Sequence, residues 1–271
     1  MVSNFIDPKV SEFNEHGFLI IKELFSGEEA AQILKTALDD ELLEGAAYSR
    51  TDASGKETMM TVWDELSDDI YSIAMRTRRV TDIVKMLIGN EICHYNSKLN
   101  AKAPNVGGSW EWHQDYGYAY DYGVLRPAMA TCFLALDPSN QENGCIEIMQ
   151  GSHKLGRINH TFIGKQYCAD PDRINIAEEK LAVVPCELEP GDAVFFHCNT
   201  LHRSGPNLSD KRRWALITVF NLTDNLPFKD GPHSGFHPIA VVEDDAILSG
   251  KYVGSSATKE FQKKAYNPAK V

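Results

Sequence analysis

The stretch Trp-Glu-Trp-His-Gln-Asp places an imidazole and a carboxylate two residues apart, at His113 and Asp115. Residues i and i+2 of an extended strand point to the same face, so these two side chains could hold one metal ion. A third ligand must come from elsewhere, and His202 in Leu-His-Arg-Ser-Gly-Pro-Asn is the best candidate. Two histidines and one carboxylate leave the opposite face of a ferrous ion open, which is the arrangement of non-haem iron oxygenases.

Arg213 adds a second functional group to this set. It follows the Gly-Pro-Asn turn after His202 and begins the predicted strand Arg-Trp-Ala-Leu-Ile, which could return its guanidinium to the metal. The planar guanidinium donates two parallel hydrogen bonds to a carboxylate. A 2-oxoglutarate cosubstrate needs both parts, because its keto-acid end chelates iron and its far carboxylate needs a cation.

Other residues compete for these roles. His197 is the rival third metal ligand, but it ends a hydrophobic strand and is interpreted as structural. Arg212 competes with Arg213, and only one of them can point inward because adjacent strand residues face opposite ways. His153 lies in a predicted turn as a structural hydrogen-bonding residue. His94 alternates with polar residues on one strand face, which could approach the pocket.

Five short motifs follow one another between about residues 91 and 222. They are His113-Gln-Asp115, Glu142-Asn-Gly-Cys145, Gly151-Ser-His-Lys154, Pro190-Gly-Asp-Ala-Val-Phe-Phe-His197, and His202-x-Ser204-x-x-Asn207 with Arg213. No single motif is specific, but the ordered set resembles the phytanoyl-CoA dioxygenase (PhyH) family of Fe(II)/2-oxoglutarate oxygenases, and is similar to ectoine hydroxylase.

The resemblance implies a site and a reaction. Transferred residue by residue, it makes His113, Asp115 and His202 the iron ligands and Arg213 the 2-oxoglutarate arginine, with Ser204 beside it. The implied enzyme is a dioxygenase that uses Fe(II), O2 and 2-oxoglutarate to hydroxylate a small organic metabolite, with release of succinate and CO2.

Finer roles follow from the same resemblance. Lys102, or with less support Lys98, matches a basic residue near the cosubstrate, and Asn96 on the same strand face is predicted to contact substrate. Halogenating relatives carry a small residue where this chain has Asp115, so we expect hydroxylation, not chlorination. Desaturation and ring closure stay open. The sequence contains no dedicated basic cluster for coenzyme A, which favours a small polar substrate.

Two other functions also remain open. The same fold and metal could serve a hydrolase or isomerase that uses no 2-oxoglutarate, or the chain could be a non-catalytic metal- or ligand-binding module. Arg213 argues against the first alternative, and the complete triad argues against the second.

The elements that must position these residues are mainly strands. Short β-rich stretches without intervening helices predict a sandwich or barrel, at 92–101, 128–136, 145–149, 182–187, 193–197 and 214–222. With the resemblance, the prediction is a double-stranded β-helix (a cupin-like jelly roll) with flanking helices. We expect one domain over 1–271, comprising a helical part at about 1–90, a jelly-roll core at about 91–222 and an extension at 223–271.

The N-terminal part contains helix signals. Ser26 and Glu29 form a capping-box pattern that begins a helix ending near Gly45. A second helix is predicted from Asp68 to Leu87, with its three arginines on a solvated face. Residues 46–67 and 156–180 are interpreted as irregular and as candidate lids. The aromatic residues that alternate through 110–122 are predicted to share one side as wall and packing residues.

Composition excludes several classes of protein. Of the 271 residues, 43% are hydrophobic and 24% charged, which is typical of a globular protein. The formal net charge of −11 argues against a nucleic-acid partner. No apolar run reaches the roughly 18 residues of a membrane span. The six cysteines form no CxxC pair and are interpreted as reduced thiols. Without a secretory signal pattern, a cytoplasmic location is expected.

Overall fold

The computed structural model describes residues 7–89, 91–230, 235 and 237–262. Its helices are α1 (Pro8–His16), α2 (Gly27–Leu38), α3 (Glu41–Gly45), α4 (Ile70–Arg76), α5 (Arg78–Ile88), α6 (Asp115–Asp121) and α7 (Pro171–Lys180). Its strands are β1 (Phe18–Ile21), β2 (Tyr48–Thr51), β3 (Glu57–Trp63), β4 (Ile92–Lys102), β5 (Trp110–His113), β6 (Met129–Ala135), β7 (Ile146–Met149), β8 (His160–Ile163), β9 (Gln166–Ala169), β10 (Val183–Cys186), β11 (Ala193–His197), β12 (His202–Ser204), β13 (Arg213–Leu222) and β14 (His237–Pro238). Two short 3₁₀ segments lie at Ser152–Leu155 and Asp244–Ser249.

Two antiparallel sheets form the body of the molecule. The major sheet has the order β1-β11-β6-β13-β4-β3-β2, with β14 beside β4, and the minor sheet has the order β10-β7-β12-β5. Apolar residues from both sheets pack together between them, including Phe133 and Ala135 from the major sheet and Ile146 and Ile148 from the minor sheet. This double sheet confirms the predicted mainly β jelly-roll fold.

The prediction that residues 46–67 are irregular was wrong. Strands β2 and β3 form there and extend the major sheet, with Met60 paired to both Tyr48 and Asn100. The N-terminal part is therefore not only helical, since β1, β2 and β3 all join this sheet. The alternation was hard to read because β2 is half-buried along its whole length and carries mostly polar residues.

The prediction that residues 156–180 form an insert without strands was also wrong. It contains the β8–β9 hairpin and α7. The hairpin is a separate sheet of two strands with mixed burial, so the apolar run that marks a core strand is missing there.

The predicted helix from Asp68 to Leu87 is two helices, interrupted at Thr77. Thr77 is extended (φ −58°, ψ 147°), and its hydroxyl donates to the Ala74 carbonyl at 2.7 Å. The next amide, that of Arg78, donates to the Val242 carbonyl at 3.0 Å. A remote segment thus satisfies the backbone where the helix breaks, which local spacing cannot reveal.

The prediction that the arginines of this region form a solvated face was wrong for Arg79. Arg79 pairs with Glu29 at 2.8 Å, and the same glutamate closes the capping box by accepting from the Ser26 amide at 2.8 Å. Arg78 is the exposed member and pairs with Glu243. The inner arginine therefore ties α5 to the start of α2.

Candidate metal centre

His113, Asp115 and His202 come together in the structure. His113 ends β5 and His202 begins β12, and the two are register partners with ring centroids 4.1 Å apart. Asp115 lies beside them, with its Oδ1 atom 3.9 Å from Nε2 of His202. One ligand atom from each residue lies within 4.8 Å of the others, and all three residues are buried. Such a cluster can hold one metal ion.

The expectation that His113 and Asp115 share a strand face was wrong. Gln114 is extended (φ −117°, ψ 135°), but Asp115 is the first residue of helix α6. The Gln114 side-chain amide donates to the carbonyls of Gly156 and Asn199 and accepts from the amide of Ile158. These contacts fix the turn from strand to helix, and the turn brings the carboxylate to the imidazoles.

The hydrogen bonds of both histidines leave one nitrogen available to a metal. Nδ1–H of His113 donates to the Glu111 carbonyl at 2.8 Å, and Nδ1–H of His202 donates to the Thr200 carbonyl at 3.0 Å. The carbonyl partners define the tautomer and leave the Nε2 lone pairs free. Burial lowers the pKa of both histidines, which favours the neutral form that binds metal.

Asp115 is held in its charged form. Burial by itself would raise its pKa, but the positive charge of Lys98, the electrostatic interaction with the two imidazoles and a hydrogen bond from Thr131 lower the pKa of Asp115 to about 2. The Thr131 hydroxyl donates to Oδ2 at 2.5 Å, which leaves Oδ1 toward the histidines. The cluster is therefore two neutral imidazoles and one carboxylate.

Arg213 lies inside the protein with unused donors. Its side chain is buried, and Nη2 donates to the Gly144 carbonyl at 3.0 Å. Nε and Nη1 are also buried but have no hydrogen-bond partner among the described residues, and burial lowers the pKa of Arg213 to about 10. Arg212 points outward and pairs with Asp137, so Arg213 is the inward arginine of the two. Unpaired buried donors are costly, which suits a carboxylate ligand at this position.

The structure separates the two candidate lysines. Lys102 is the register partner of Arg213 and donates to the backbone carbonyls of Ser204 and Gly205. Lys98 lies on the same strand, lines the cavity and acts electrostatically on Asp115. The two lysines thus serve opposite ends of the site, with Lys102 at Arg213 and Lys98 at the metal cluster.

The remaining predicted contacts lie at the cavity, and the rival histidines lie elsewhere. Ser204 and Asn96 line the cavity. His197 packs against Phe13 and His153 and accepts a hydrogen bond from the Asn199 amide. His94 is buried, but its ring bonds to the Asp64 carbonyl and the Ser97 hydroxyl instead of facing the cavity.

A cavity of ≈ 150 Å³ opens over the cluster, between the two sheets. An apolar cavity of this size elsewhere accommodates benzene, so the site is sized for small molecules. Its lining includes four residues of the β2–β3 hairpin, which lies in the candidate lid 46–67 but was not predicted as a strand wall, and Gln262, which sequence reasoning missed: Tyr48, Arg50, Met60, Val62 and Gln262. The alternation of Thr58, Met60 and Val62 was the available signal for this wall.

The prediction that the aromatic residues of 110–122 share one side was wrong. Trp110, Tyr118 and Tyr122 line the cavity, whereas Tyr120 is 45% exposed. Trp112 packs in a separate cluster near α7, where its indole donates to Glu178. The change from β5 to α6 alters the side-chain period within this stretch, so a single alternating pattern does not apply.

Gly144 sets the contact beneath Arg213. It has φ +76°, and a Cβ atom there would lie 2.3 Å from the Gly205 carbonyl oxygen, which also accepts from Lys102. We expect Gly144→Ala to destabilise the fold by about 1–3 kcal/mol and to weaken cosubstrate binding. Gly151→Ala is the matched control, because φ is +78° and nothing lies within 4 Å. Equal melting temperatures for the two variants would contradict the steric role of Gly144.

A jelly roll in which two histidines and one carboxylate converge in a buried cavity has the architecture of a non-haem iron oxygenase. The family model for phytanoyl-CoA dioxygenase (PhyH) matches residues 13–215, about three quarters of the chain. The chain belongs to this family, which confirms the predicted family and the predicted dioxygenase class.

Individual relatives agree with this assignment. An ectoine dioxygenase from Stutzerimonas stutzeri (strain A1501) is 26% identical, over 80% of this chain and 76% of its own length. A probable alpha-ketoglutarate-dependent hypophosphite dioxygenase from Stutzerimonas stutzeri is 29% identical, over 80% of this chain and 78% of its own length. The crystal structure of EctD from S. alaskensis with bound Fe superimposes with a TM-score of 0.72 at 20% identity, covering 86% of each chain.

Proposed function

We propose that the chain hydroxylates a small organic metabolite with Fe(II), 2-oxoglutarate and O2, releasing succinate and CO2. The observation that carries this proposal is the buried guanidinium of Arg213, with two unpaired N–H groups on the sheet face that also lines the metal cavity. Neither a hydrolase nor an isomerase requires a carboxylate-binding arginine there. A relative named as alpha-ketoglutarate-dependent and a neighbour with bound Fe support the same pair of cofactors.

The metal-binding residues would be His113, Asp115 and His202. Each histidine would use its free Nε2 atom, since the Nδ1 positions are occupied by backbone carbonyls. Iron would supply oxygen activation, and three protein ligands would leave room on it for the cosubstrate and O2. Thr131 and Lys98 keep the Asp115 carboxylate charged and oriented.

The cosubstrate would lie between Arg213 and the metal cluster. Its far carboxylate would accept hydrogen bonds from Nε and Nη1 of Arg213, with Ser204 beside it. Burial and the nearby Arg213 charge lower the pKa of Lys102 well below its usual value. Lys102 therefore supports the carboxylate end mainly by holding the backbone of Ser204 and Gly205. Lys98 lies at the metal end, where the keto acid would bind.

The product should carry a hydroxyl group. Asp115 would occupy the ligand position that chloride needs on the metal in halogenating relatives. Asn96 on the cavity wall is the proposed polar contact to substrate. The relatives named above act on small molecules, ectoine and hypophosphite, which supports a small-molecule substrate here.

None of the helices described here is long and apolar enough to cross a membrane.

We also infer that one catalytic domain contains all of these parts. The N-terminal strands β1, β2 and β3 complete the major sheet, so residues 91–222 alone do not contain the whole sheet. From the C-terminal part of the chain, the backbone amide of Gln262 donates to the Val62 carbonyl at 2.8 Å, so this part also contacts β3.

The function is tested by incubating the purified chain with Fe(II), 2-oxoglutarate and O2 and measuring succinate. We expect slow succinate formation without substrate, stimulated by the correct metabolite, and a product that gains one oxygen from labelled O2 in the presence of chloride. No succinate from an iron-loaded chain would favour the hydrolase, isomerase or binding-module alternatives. A chlorinated product would contradict Asp115 as a metal ligand.

Hydrogen exchange tests the pocket cover. Four residues of β2–β3 line the cavity, whereas the described part of 156–180 contributes none and instead supports Arg50 through the Lys165 carbonyl. Substrate should therefore slow exchange in residues 48–63 most strongly, with a smaller effect at 160–169. Unchanged exchange across 48–63 at saturating substrate would contradict a role for this hairpin as the cover.

A further inference from the structure

The cavity is more positive than the chain as a whole. The formal net charge is −11, yet the described lining residues include Arg50, Lys98 and Arg203, and Asp115 is the one carboxylate among them. The Arg203 guanidinium is neutralised by two glutamates at 2.6 and 3.0 Å. Since Asp115 belongs to the metal cluster, Arg50 and Lys98 leave net positive charge in the cavity.

Lys98 and Arg50 lie at different ends of the cavity. Lys98 is on β4, paired with Ile217 of β13, and acts on the metal cluster. Arg50 is on β2, which is separated from β4 by β3 and forms the end of the major sheet. The proposed function uses Arg213, Lys102 and Lys98 for the cosubstrate, but it leaves Arg50 without a role.

Arg50 is held in place but not neutralised. Nη1 donates to the Lys165 carbonyl at 3.1 Å, whereas Nε is buried and has no hydrogen-bond partner in the described ranges. Within the part of the chain that the structure describes, no carboxylate forms an ion pair with it. An arginine fixed at one nitrogen and unpaired at another presents a fork suited to an acid group.

Tyr48 adds a neutral donor beside this fork. The guanidinium carbon of Arg50 lies 6.0 Å from the centroid of the Tyr48 ring. Burial raises the pKa of Tyr48, although the Arg50 charge partly opposes the rise, so the hydroxyl stays protonated and can donate. A guanidinium with a neutral phenol next to it favours an anion over a cation.

Further polar atoms in the cavity lack partners. Oδ1 of Asn96, Oδ1 of Asn100 and Nε1 of Trp110 are buried and make no hydrogen bond to any residue that the structure describes, and all three residues line the cavity. Buried polar groups are normally satisfied, so a ligand with its own donors and acceptors fits here. Asn100 lies in a row of cross-strand partners with Met60 and Tyr48. Asn96 lies in another such row with Val219 and Thr131. Thr131 in turn donates a hydrogen bond to Asp115.

We propose that the substrate is a small polar organic anion whose acid group binds Arg50 and Tyr48. Asn96 and Asn100 then accept hydrogen bonds from hydroxyl or amino groups of its body, which extends toward the metal cluster. This assignment rests on the proposed function, because the same cavity must also hold iron and 2-oxoglutarate. Carboxylates and phosphonates share the recognition chemistry, and the experiment separates them.

The test uses short hydroxy- and amino-carboxylates, phosphonates of the same skeletons, and the corresponding neutral carboxamides. Binding to the chain loaded with Fe(II) and 2-oxoglutarate is measured by calorimetry without O2. We expect an acid to bind at least about tenfold more tightly than its carboxamide. Stronger binding by the carboxylate or by the phosphonate identifies the acid. Equal binding of acid and carboxamide would overturn the proposal, as would failure of every acid while substrate-free succinate formation persists.

A variant pair then locates the contact. Arg50→Met should weaken binding of the acid about 10- to 100-fold, the range of a hydrogen-bonded charge, and leave carboxamide binding unchanged. Arg157→Met is the control, because Arg157 stacks on Tyr120 and does not line the cavity. Unchanged acid affinity in Arg50→Met, or loss of 2-oxoglutarate affinity instead, would assign Arg50 another role. Absence of succinate formation by the unmodified chain would refute the proposed function itself, which is a separate result.

Discussion

Replacing His113, Asp115 or His202 with alanine should abolish succinate formation and weaken Fe(II) binding. Each variant removes one of the three candidate ligand side chains that converge within 4.8 Å in the part of the chain that the structure describes. The two remaining side chains should hold the ion less tightly in competition with water. Metal content after anaerobic loading, together with succinate yield, measures the effect.

His197→Ala is the informative control for these variants. His197 packs against His153 and Phe13, away from the metal cluster, so the variant should still bind one iron per chain. Its melting temperature should fall, because a partly buried ring that packs against two aromatic neighbours is removed. If His197→Ala lost iron while His202→Ala kept it, the third ligand would be His197.

Arg213→Ala should raise the 2-oxoglutarate concentration needed for half-maximal turnover by about 30-fold to several thousand-fold. A buried carboxylate would lose its charge-assisted partner, a loss of about 2–5 kcal/mol. The metal ligands are untouched, so iron content should be unchanged. Calorimetric titration of 2-oxoglutarate into the iron-loaded chain gives the affinity directly.

Arg212→Ala separates this effect from a general loss of positive charge. Arg212 is the adjacent residue and pairs with Asp137 at the surface, so its removal should change the affinity for 2-oxoglutarate little. A normal affinity in Arg213→Ala combined with a weakened one in Arg212→Ala would reverse the assignment of the two arginines.

The chemistry was more predictable from the sequence than the local structure that positions it. Residue types and motif order selected the metal cluster and Arg213, because few side chains serve these roles. The start of helix α6 at Asp115 was missed, since it depends on Gln114 contacts to carbonyls 42 and 85 residues away. Such distant partners leave no local periodic signal.

The walls of the cavity were missed for a related reason. Met60 is fixed by its pairing with Asn100, and Gln262 by the Val62 carbonyl, so remote pairing brings both residues to the cavity. Strand periodicity placed Lys98 and Lys102 on one face of the strand but could not show that they lie at opposite ends of the site. Only the register with Arg213 shows which lysine lies next to the arginine.

A crystal structure of the chain grown without oxygen in Fe(II) and 2-oxoglutarate, with anomalous scattering recorded at the iron edge, tests the central claim most directly. The predicted result is one iron peak bounded by Nε2 of His113, the Asp115 carboxylate and Nε2 of His202, with the far carboxylate of 2-oxoglutarate on Nε and Nη1 of Arg213. An iron peak beside His197, or 2-oxoglutarate bound away from Arg213, would contradict it.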